Sequence, residues 1–242
     1  MLSIVIPTHN EERHIQMTIE TLIPSLHSIF PDLELIIVDD GSTDKTIQNV
    51  NLVQEEYKNN VTIKLLKNIK NRGKGFSVRK GVLAAQGDIV IFTDADLSYD
   101  IPSIISVSSK ISDDTPVVIG SRILPESQII AKVTWLRSLS GKIFSYLIQL
   151  FMFQNIPDTQ CGLKGFTRTI AQETFPLLTI DGFAFDVELL YILQKYNHKI
   201  YPVPVKLISN RADSRLNMAL DPIRMFIDLF KIRLNDLLGK YG

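Results

Sequence analysis

Gly87-Asp88-Ile89-Val90-Ile91-Phe92-Thr93-Asp94-Ala95-Asp96 is the stretch on which the fold turns. A glycine stops the preceding helix, a short apolar run reads as a buried strand, and the strand ends on two carboxylates. The same punctuation recurs upstream. Leu2–Pro7 is a buried strand, followed by Asn10-Glu11-Glu12, a helix cap with acids in the first turn. Ile15, Ile19, Leu22, Ile23 and Leu26 follow it at helical spacing. Leu35–Val38 runs into Asp39-Asp40-Gly41-Ser42 and a helix over residues 43–57. Val61–Leu66 runs into Asn71-Arg72-Gly73-Lys74-Gly75 and a helix ending near Ala85. Strands alternating with helices of this length predict βαβ units and a parallel sheet.

The second half is less regular. Val117–Ser121 reads as a strand leading into Arg122, residues 135–153 as a long helix, and Leu163–Thr167 as a strand. A helix is expected over 186–196, and an edge strand over 200–208, because Pro202 and Pro204 cannot donate to a ladder. Asp221-Pro222 opens a last helix, with Asp as cap and Pro at the first position. Its apolar stripe is Ile223, Phe226, Ile227, Phe230, Leu234 and Leu237, with Arg224, Lys231, Arg233 and Lys240 elsewhere. Core packing is the expected fate of most of those side chains; a basic amphipathic helix can also lie on an anionic membrane. No repeat or linker interrupts the chain, so we expect one α/β domain over 1–215 and a C-terminal amphipathic helical appendage over 216–242.

The 242 residues are 45% hydrophobic and 21% charged, values that exclude disorder and collagen-like structure. Lys plus Arg and Asp plus Glu number 26 each, so no global field recruits nucleic acid. That balance hides a segregation: residues 1–60 carry three bases against ten acids, and residues 61–80 seven bases and no acid. The single cysteine, Cys161, fits a reducing, cytoplasmic setting. Met1 leads straight into a strand, so no signal peptide is expected. The longest apolar stretch, 143–153, is eleven residues, against the roughly 20 a membrane span requires. The expectation is a protein that does not cross a membrane but can lie on one.

Ligands of open α/β sheets bind at the carboxyl ends of strands, and there Glu11, Asp39, Asp40, Asp94 and Asp96 converge. Clustered carboxylates repel unless a cation or donors relieve them, and a divalent metal is the simplest relief. Asp94 and Asp96, two apart in a strand-end turn, suit a hard ion such as Mg²⁺ or Mn²⁺ that leaves positions open for a diphosphate; such a pair can also merely cap a turn. Asp39-Asp40-Gly41-Ser42 reads equally as a turn with a helix cap or as a carboxylate accepting from a base N–H. Arg72-Gly73-Lys74-Gly75 reads as a helix-start loop or as a close approach to a nucleotide, with Lys74 supplying charge.

Together, Ile-Pro-Thr-His-Asn-Glu (6–11), Val-Asp-Asp-Gly-Ser (38–42), Arg-Gly-Lys-Gly (72–75), Asp-Ala-Asp-Leu (94–97) and Gly-Ser-Arg (120–122) resemble an inverting family 2 glycosyltransferase of GT-A fold. Asp158-Thr159-Gln160-Cys161-Gly162-Leu163-Lys164 and Phe185-Asp186-Val187-Glu188-Leu189 resemble the polyprenyl-phosphate branch, dolichyl-phosphate β-glucosyltransferases above all. The resemblance runs over about 2–215 and implies a Rossmann-like, mostly parallel sheet with flanking helices. It implies a nucleoside site at Pro7, His9, Glu11, Asp39 and Asp40, and a metal and diphosphate site at Asp94, Ala95 and Asp96 with Lys74. It also implies acceptor-phosphate contacts from Arg122 and Arg137, and closure over the diphosphate by Lys164, Arg211 and Ser214. His9 stands where Tyr is usual, and Leu163 and Gly165 replace Phe and Leu.

The implied reaction moves a hexose, preferably glucose from UDP-glucose, to polyprenyl or dolichyl phosphate at the cytoplasmic face of a membrane. The chemistry agrees. A phosphate monoester, with a second pKa near 6, is already a nucleophile at neutrality and needs cations rather than a base. Arginine forks at 122, 137 and 211 suit it. Asp96, Arg122 and Asp186 are the candidate catalytic groups; Asp186 and Glu188 can act as bases or orient the cations, and orientation is preferred. The rival acceptor is a sugar hydroxyl, which requires a base. A nucleotidyltransferase is disfavoured because residues 6–13 lack glycine, and a non-catalytic binding module because it would leave the acid pair idle.

Overall fold

The computed structural model describes residues 1–131, 148, 152, 156–209 and 221–242. Most of the helix expected over 135–153, Arg137, Arg211 and Ser214 lie outside the described residues. Strands β1 (Leu2–Thr8), β2 (Leu33–Asp39), β3 (Thr62–Lys67) and β4 (Ile89–Phe92) alternate with helices α1 (Ile15–His27), α2 (Thr46–Tyr57) and α3 (Lys74–Ala84). Then come α4 (Ile101–Lys110), β5 (Val117–Ser121), β6 (Gln128–Ile129), β7 (Lys164–Thr167) and α5 (Arg168–Thr174). The chain closes with α6 (Phe185–Lys195), β8 (Ile200–Pro204), β9 (Lys206–Leu207) and α7 (Asp221–Leu237).

Seven strands form one sheet in the order β3-β2-β1-β4-β7-β5-β8, and β6 pairs with β9 in a second ribbon. The expected parallel βαβ units are present, and β8, with its two prolines, is an edge strand. Alternation along each strand feeds two cores. Val5, Ile36, Val38 and Phe92 face α3, α5 and α6; Ile4, Ile6, Leu35, Ile37 and Ile91 face α1, α2 and α4.

β7 departs from the parallel pattern. It runs antiparallel between β4 and β5, pairing Lys164 with both Phe92 and Ile119. Reversal puts the start of β7, and the Asp158–Leu163 segment before it, at the carboxyl ends of its neighbours. Two further helices, α4 and α5, were not expected. In α4, Asp100 accepts from the Ser103 N–H at 3.0 Å and Pro102 sits in the first turn, a start signal obscured by the serine-rich sequence that follows.

α7 inverts the expected packing. Its buried apolar residues are Leu229 and Ile232, joined by Tyr241 in the α3-side core, whereas Ile223, Phe226, Ile227, Phe230, Leu234 and Leu237 are exposed. The stripe picked out by periodicity is the outer face.

Candidate active site

Two loops close the β1–β2 end of the sheet. Asn10, in a left-handed conformation (φ 51°), accepts from the Thr43 N–H at 2.7 Å and donates its own N–H to Ser42 Oγ at 2.7 Å. The turn after β1 is thereby joined to the turn after β2. Pro7 and His9 are half-buried there, and Glu11 is buried against His14 Nδ1 at 3.4 Å.

Asp40, expected to accept from a base, has both carboxylate oxygens engaged by protein donors. One oxygen accepts from Asn68 Nδ2 (2.8 Å) and the Arg72 N–H (2.9 Å), the other from the Gly73 N–H (2.8 Å). The carboxylate shapes the Arg72-Gly73-Lys74-Gly75 loop from within. Gly73 is obligatory: its φ is 108°, and a Cβ would strike the Asp181 carbonyl. Asp39 is the carboxylate with capacity to spare. Its Oδ2 accepts from the Ser42 N–H at 3.1 Å, while the buried Oδ1 has no hydrogen-bond partner among the described residues. A buried acceptor without a donor is costly unless a ligand supplies one.

The loop shaped by Asp40 delivers Lys74, the first residue of α3, to Asp94 at 2.5 Å. Burial works against the ammonium charge, but Asp94, Asp186 and Asp96 outweigh it and raise the Lys74 pKa. Asp96 accepts from Ser98 Oγ at 2.5 Å, and Leu97 between them holds φ 50°, a strained conformation for a branched side chain. Ala95 is buried in the α1-side core, and its carbonyl accepts from Thr18 Oγ1 at 2.8 Å. Gly162 lies so close to Asp94 that any Cβ there would overlap the carboxylate.

Across the reversed strand β7, Lys164 is fully buried and donates to Asp186 Oδ1 and the Cys161 carbonyl, both at 2.6 Å. Burial raises the Asp186 pKa above its ordinary value, against the pull of Lys164 and Lys74. Arg122 gives its fork to Asp158, with Nε to Oδ2 and Nη2 to Oδ1 both at 2.8 Å, and its backbone N–H adds a bond at 2.9 Å. The bidentate edge expected to meet an acceptor phosphate is therefore engaged within the protein. Burial opposes the Arg122 charge, but Asp158 raises its pKa well above the ordinary value. The Cys161 thiol is buried beside them and pushed up to about 11, chiefly by that burial.

Glu188 is not placed as a base. It accepts from the Thr179 and Ile180 N–H groups, from Thr179 Oγ1 at 2.5 Å and from Tyr241 at 2.6 Å. It holds the 179–181 turn, where Asp181 binds Arg79 at 3.1 Å and Arg72 at 3.3 Å. Asp158 and Asp181 were given no role in the sequence reading. Asp158 stood in a quoted motif, but only the fold shows that it faces Arg122.

The five rim acids are thus largely relieved by protein donors rather than left for a metal alone. Among the described residues no group of three His, Cys, Asp or Glu side chains is arranged to hold an ion. Asp94 and Asp96, the carboxylates expected to hold a divalent ion, are bonded here to Lys74 and Ser98.

This architecture has relatives. Residues 3–175 match the profile of Glycosyl transferase family 2. The chain belongs to that family. This family 2 glycosyltransferase is 36% identical to a dolichyl-phosphate β-glucosyltransferase of Dictyostelium discoideum, covering 98% of this chain and 75% of the relative. It is 34% identical to the Saccharomyces cerevisiae enzyme of that name, over 99% of this chain and 76% of the relative, and 32% identical to the human one, over 99% and 77%. Among solved structures, mannosyl-3-phosphoglycerate synthase from Rubrobacter xylanophilus superposes with a TM-score of 0.72 at 18% identity, over 98% of this chain and 74% of the other. Glucosyl-3-phosphoglycerate synthase from Mycobacterium tuberculosis, in complex with Mn²⁺, UDP and glucosyl-3-phosphoglycerate, gives 0.64 at 17% identity, over 95% and 79%. The fold is GT-A.

Proposed function

We propose that this family 2 glycosyltransferase moves glucose from UDP-glucose to a polyprenyl phosphate, with inversion at the anomeric carbon. The observation that carries the reading is near-full-length similarity to several enzymes named for that transfer to dolichyl phosphate. The rim supports it. Glu188 spends both carboxylate oxygens on the 179–181 turn and Tyr241, and Asp186 gives Oδ1 to Lys164, the orienting role preferred for it. A lipid phosphate brings its own negative oxygen and requires no base.

In this reading Asp39 Oδ1 accepts the imide N–H of uracil, and Asp40 keeps the Gly73 loop open to the ribose and phosphates. Lys74 sits beside the diphosphate and offsets the charge that grows as it leaves. Asp94 and Asp96 would hold a divalent ion, which when bound neutralises diphosphate charge. Arg122, locked by Asp158, contributes field and its remaining donors near the acceptor phosphate, together with Arg137. Arg211 and Ser214 belong to the closure around the donor, while Lys164, fully buried in β7 rather than on a closing element, acts through Asp186. Because UDP-sugars are cytosolic and the acceptor is a membrane lipid, the reaction is placed on the cytoplasmic membrane face. Among the described residues no helix is long and apolar enough to cross a membrane.

Purified protein offered UDP-glucose or GDP-mannose, with undecaprenyl phosphate or undecaprenol, should yield one main product by mass spectrometry, the glucosylated lipid phosphate. Activity should vanish after EDTA treatment and return with Mn²⁺ or Mg²⁺. Equal use of the free alcohol would overturn the acceptor; full activity in excess EDTA would overturn the metal.

A further inference from the structure

We propose that Glu188 and Tyr241 are positioning residues of the nucleotide-sugar site, acting on Lys74 through the 179–182 turn; the identity of the donor rests on the UDP-glucose reading above. Glu188 is fully buried in α6 and has no part in the proposed chemistry. Its two oxygens share the Thr179 N–H at 3.0 and 2.9 Å, and one of them accepts from the Ile180 N–H at 2.8 Å. The other accepts from Thr179 Oγ1 at 2.5 Å and from the Tyr241 hydroxyl at 2.6 Å. Every one of these donors is neutral. Only a group that accepts on both oxygens can serve them all; a glutamine would turn its NH₂ against one set.

What the turn supports is the Arg72–Gly75 loop. The two backbones lie so close that glycine is required twice: a Cβ at Gly73 would strike the Asp181 carbonyl, and one at Gly75 the Ile180 carbonyl. The Phe76 N–H donates to the Asp181 carbonyl at 3.1 Å. The Asp181 carboxylate binds Arg72 at 3.3 Å and Arg79 at 3.1 Å. Both guanidinium groups lie over the Phe76 ring, 4.3 and 5.4 Å from its centroid. Arg72 is thereby a strut of the loop. Lys74 stands between the two glycines, so the turn sets where its ammonium meets Asp94.

The same turn is gripped from α7. Asn235 donates to Thr179 Oγ1 at 2.9 Å, while that hydroxyl gives its own proton to Glu188. Tyr241, beyond the helix, is fully buried beside the Tyr191 ring, so packing carries its hydroxyl to Glu188. On the β2 side Asp40 holds the loop directly, through the Arg72 and Gly73 N–H groups. The loop is clamped between two buried carboxylates, Asp40 in contact with it and Glu188 one turn removed. Removing the Tyr241 hydroxyl loosens the second side alone.

Calorimetry with UDP and hydrogen exchange over residues 70–78 test this. Tyr241→Phe keeps the buried ring and takes one donor from Glu188; it should weaken UDP about threefold to tenfold. KM for UDP-glucose should rise with it, while KM for undecaprenyl phosphate stays unchanged. Amides of 70–78 should exchange faster, and those of β2 should not. Glu188→Gln should act in the same direction and more strongly. In a Lys74→Met background Tyr241→Phe should add less than about twofold, because the group it positions is gone. Leu229→Ala, a core change on α7, should lower the melting temperature and spare UDP affinity. Unchanged UDP affinity or unchanged loop exchange in both variants overturns the proposal. So does a Tyr241→Phe effect that persists in full over Lys74→Met, or an equal loss of UDP affinity in Leu229→Ala. Faster loop exchange in a protein that binds no UDP leaves the clamp standing and removes the donor assignment; UDP binding that neither variant weakens does the reverse.

Discussion

Asp40 and Asp158 both lie buried at the carboxyl ends of the sheet, and each accepts three hydrogen bonds from the protein. Asp40 takes two of its three from peptide N–H groups, whereas Asp158 takes two from a guanidinium. The contrast extends along the rim. Above β1 and β2 the polar groups are tied to backbone: Asp39 to Ser42, Asp40 to Arg72 and Gly73, Asn10 to Thr43. Above β4, β7 and β5 carboxylates meet side-chain cations: Asp94 with Lys74, Asp186 with Lys164, Asp158 with Arg122. Peptide donors fix loop shape and cannot leave. Side-chain cations keep their charge and can share it with a phosphate that arrives beside them. In the proposed reaction one end holds the neutral base and sugar, and the other holds and releases charge.

The largest effect should come from breaking the most buried cation pair. Lys164→Met leaves Asp186 without its main partner and should cost about 3–5 kcal/mol of stability, measured by urea unfolding. Adding Asp186→Leu should restore part of the loss, because the pair is then removed rather than split. If the double variant is less stable than either single, Lys164 and Asp186 do not act as a pair, and the contrast drawn above fails at its centre.

Asp40→Ala probes the backbone-tied end. Losing a charged acceptor from two peptide donors and an amide should cost about 1.5–3 kcal/mol, and UDP affinity should fall through the loosened Gly73 loop. Asp39→Asn should leave stability nearly unchanged while weakening UDP, since its Oδ1 has no partner to lose. Calorimetry that finds stability and UDP affinity falling in the same proportion for both variants would erase the distinction between a loop-shaping and a base-reading carboxylate.

The smallest effect is confined to acid. Burial pushes the Asp158 pKa up, but Arg122 outweighs it and holds the carboxyl below its ordinary value. A lowered folded-state pKa means the pair stabilises fully above the unfolded carboxyl's titration, and that contribution is lost as pH falls through the lowered value. Asp158→Asn should flatten this acid limb of the stability curve without altering its slope near neutrality. An unchanged limb would assign acid sensitivity to other carboxylates.

Some of this was legible along the chain. Three strand–helix units and a fourth strand, the edge position of the strand with Pro202 and Pro204, and the gathering of Glu11, Asp39, Asp40, Asp94 and Asp96 at one rim all follow from local rules. Hydrophobic period, turn residues and the direction of a parallel strand suffice for them. The partners were not legible. Lys164 meets Asp186 across 22 residues, Arg122 meets Asp158 across 36, and Arg79 meets Asp181 across 102. The first two pairs depend on β7 running backwards between β4 and β5, which no local pattern records. The outer stripe of α7 marks the same boundary. The sequence alone determined that the helix has one apolar face, because periodicity is a property of the helix itself. Which face turns inward was decided only in three dimensions, where Leu229, Ile232 and Tyr241 fill the remaining core space and Asn235 fastens to the 179–181 turn.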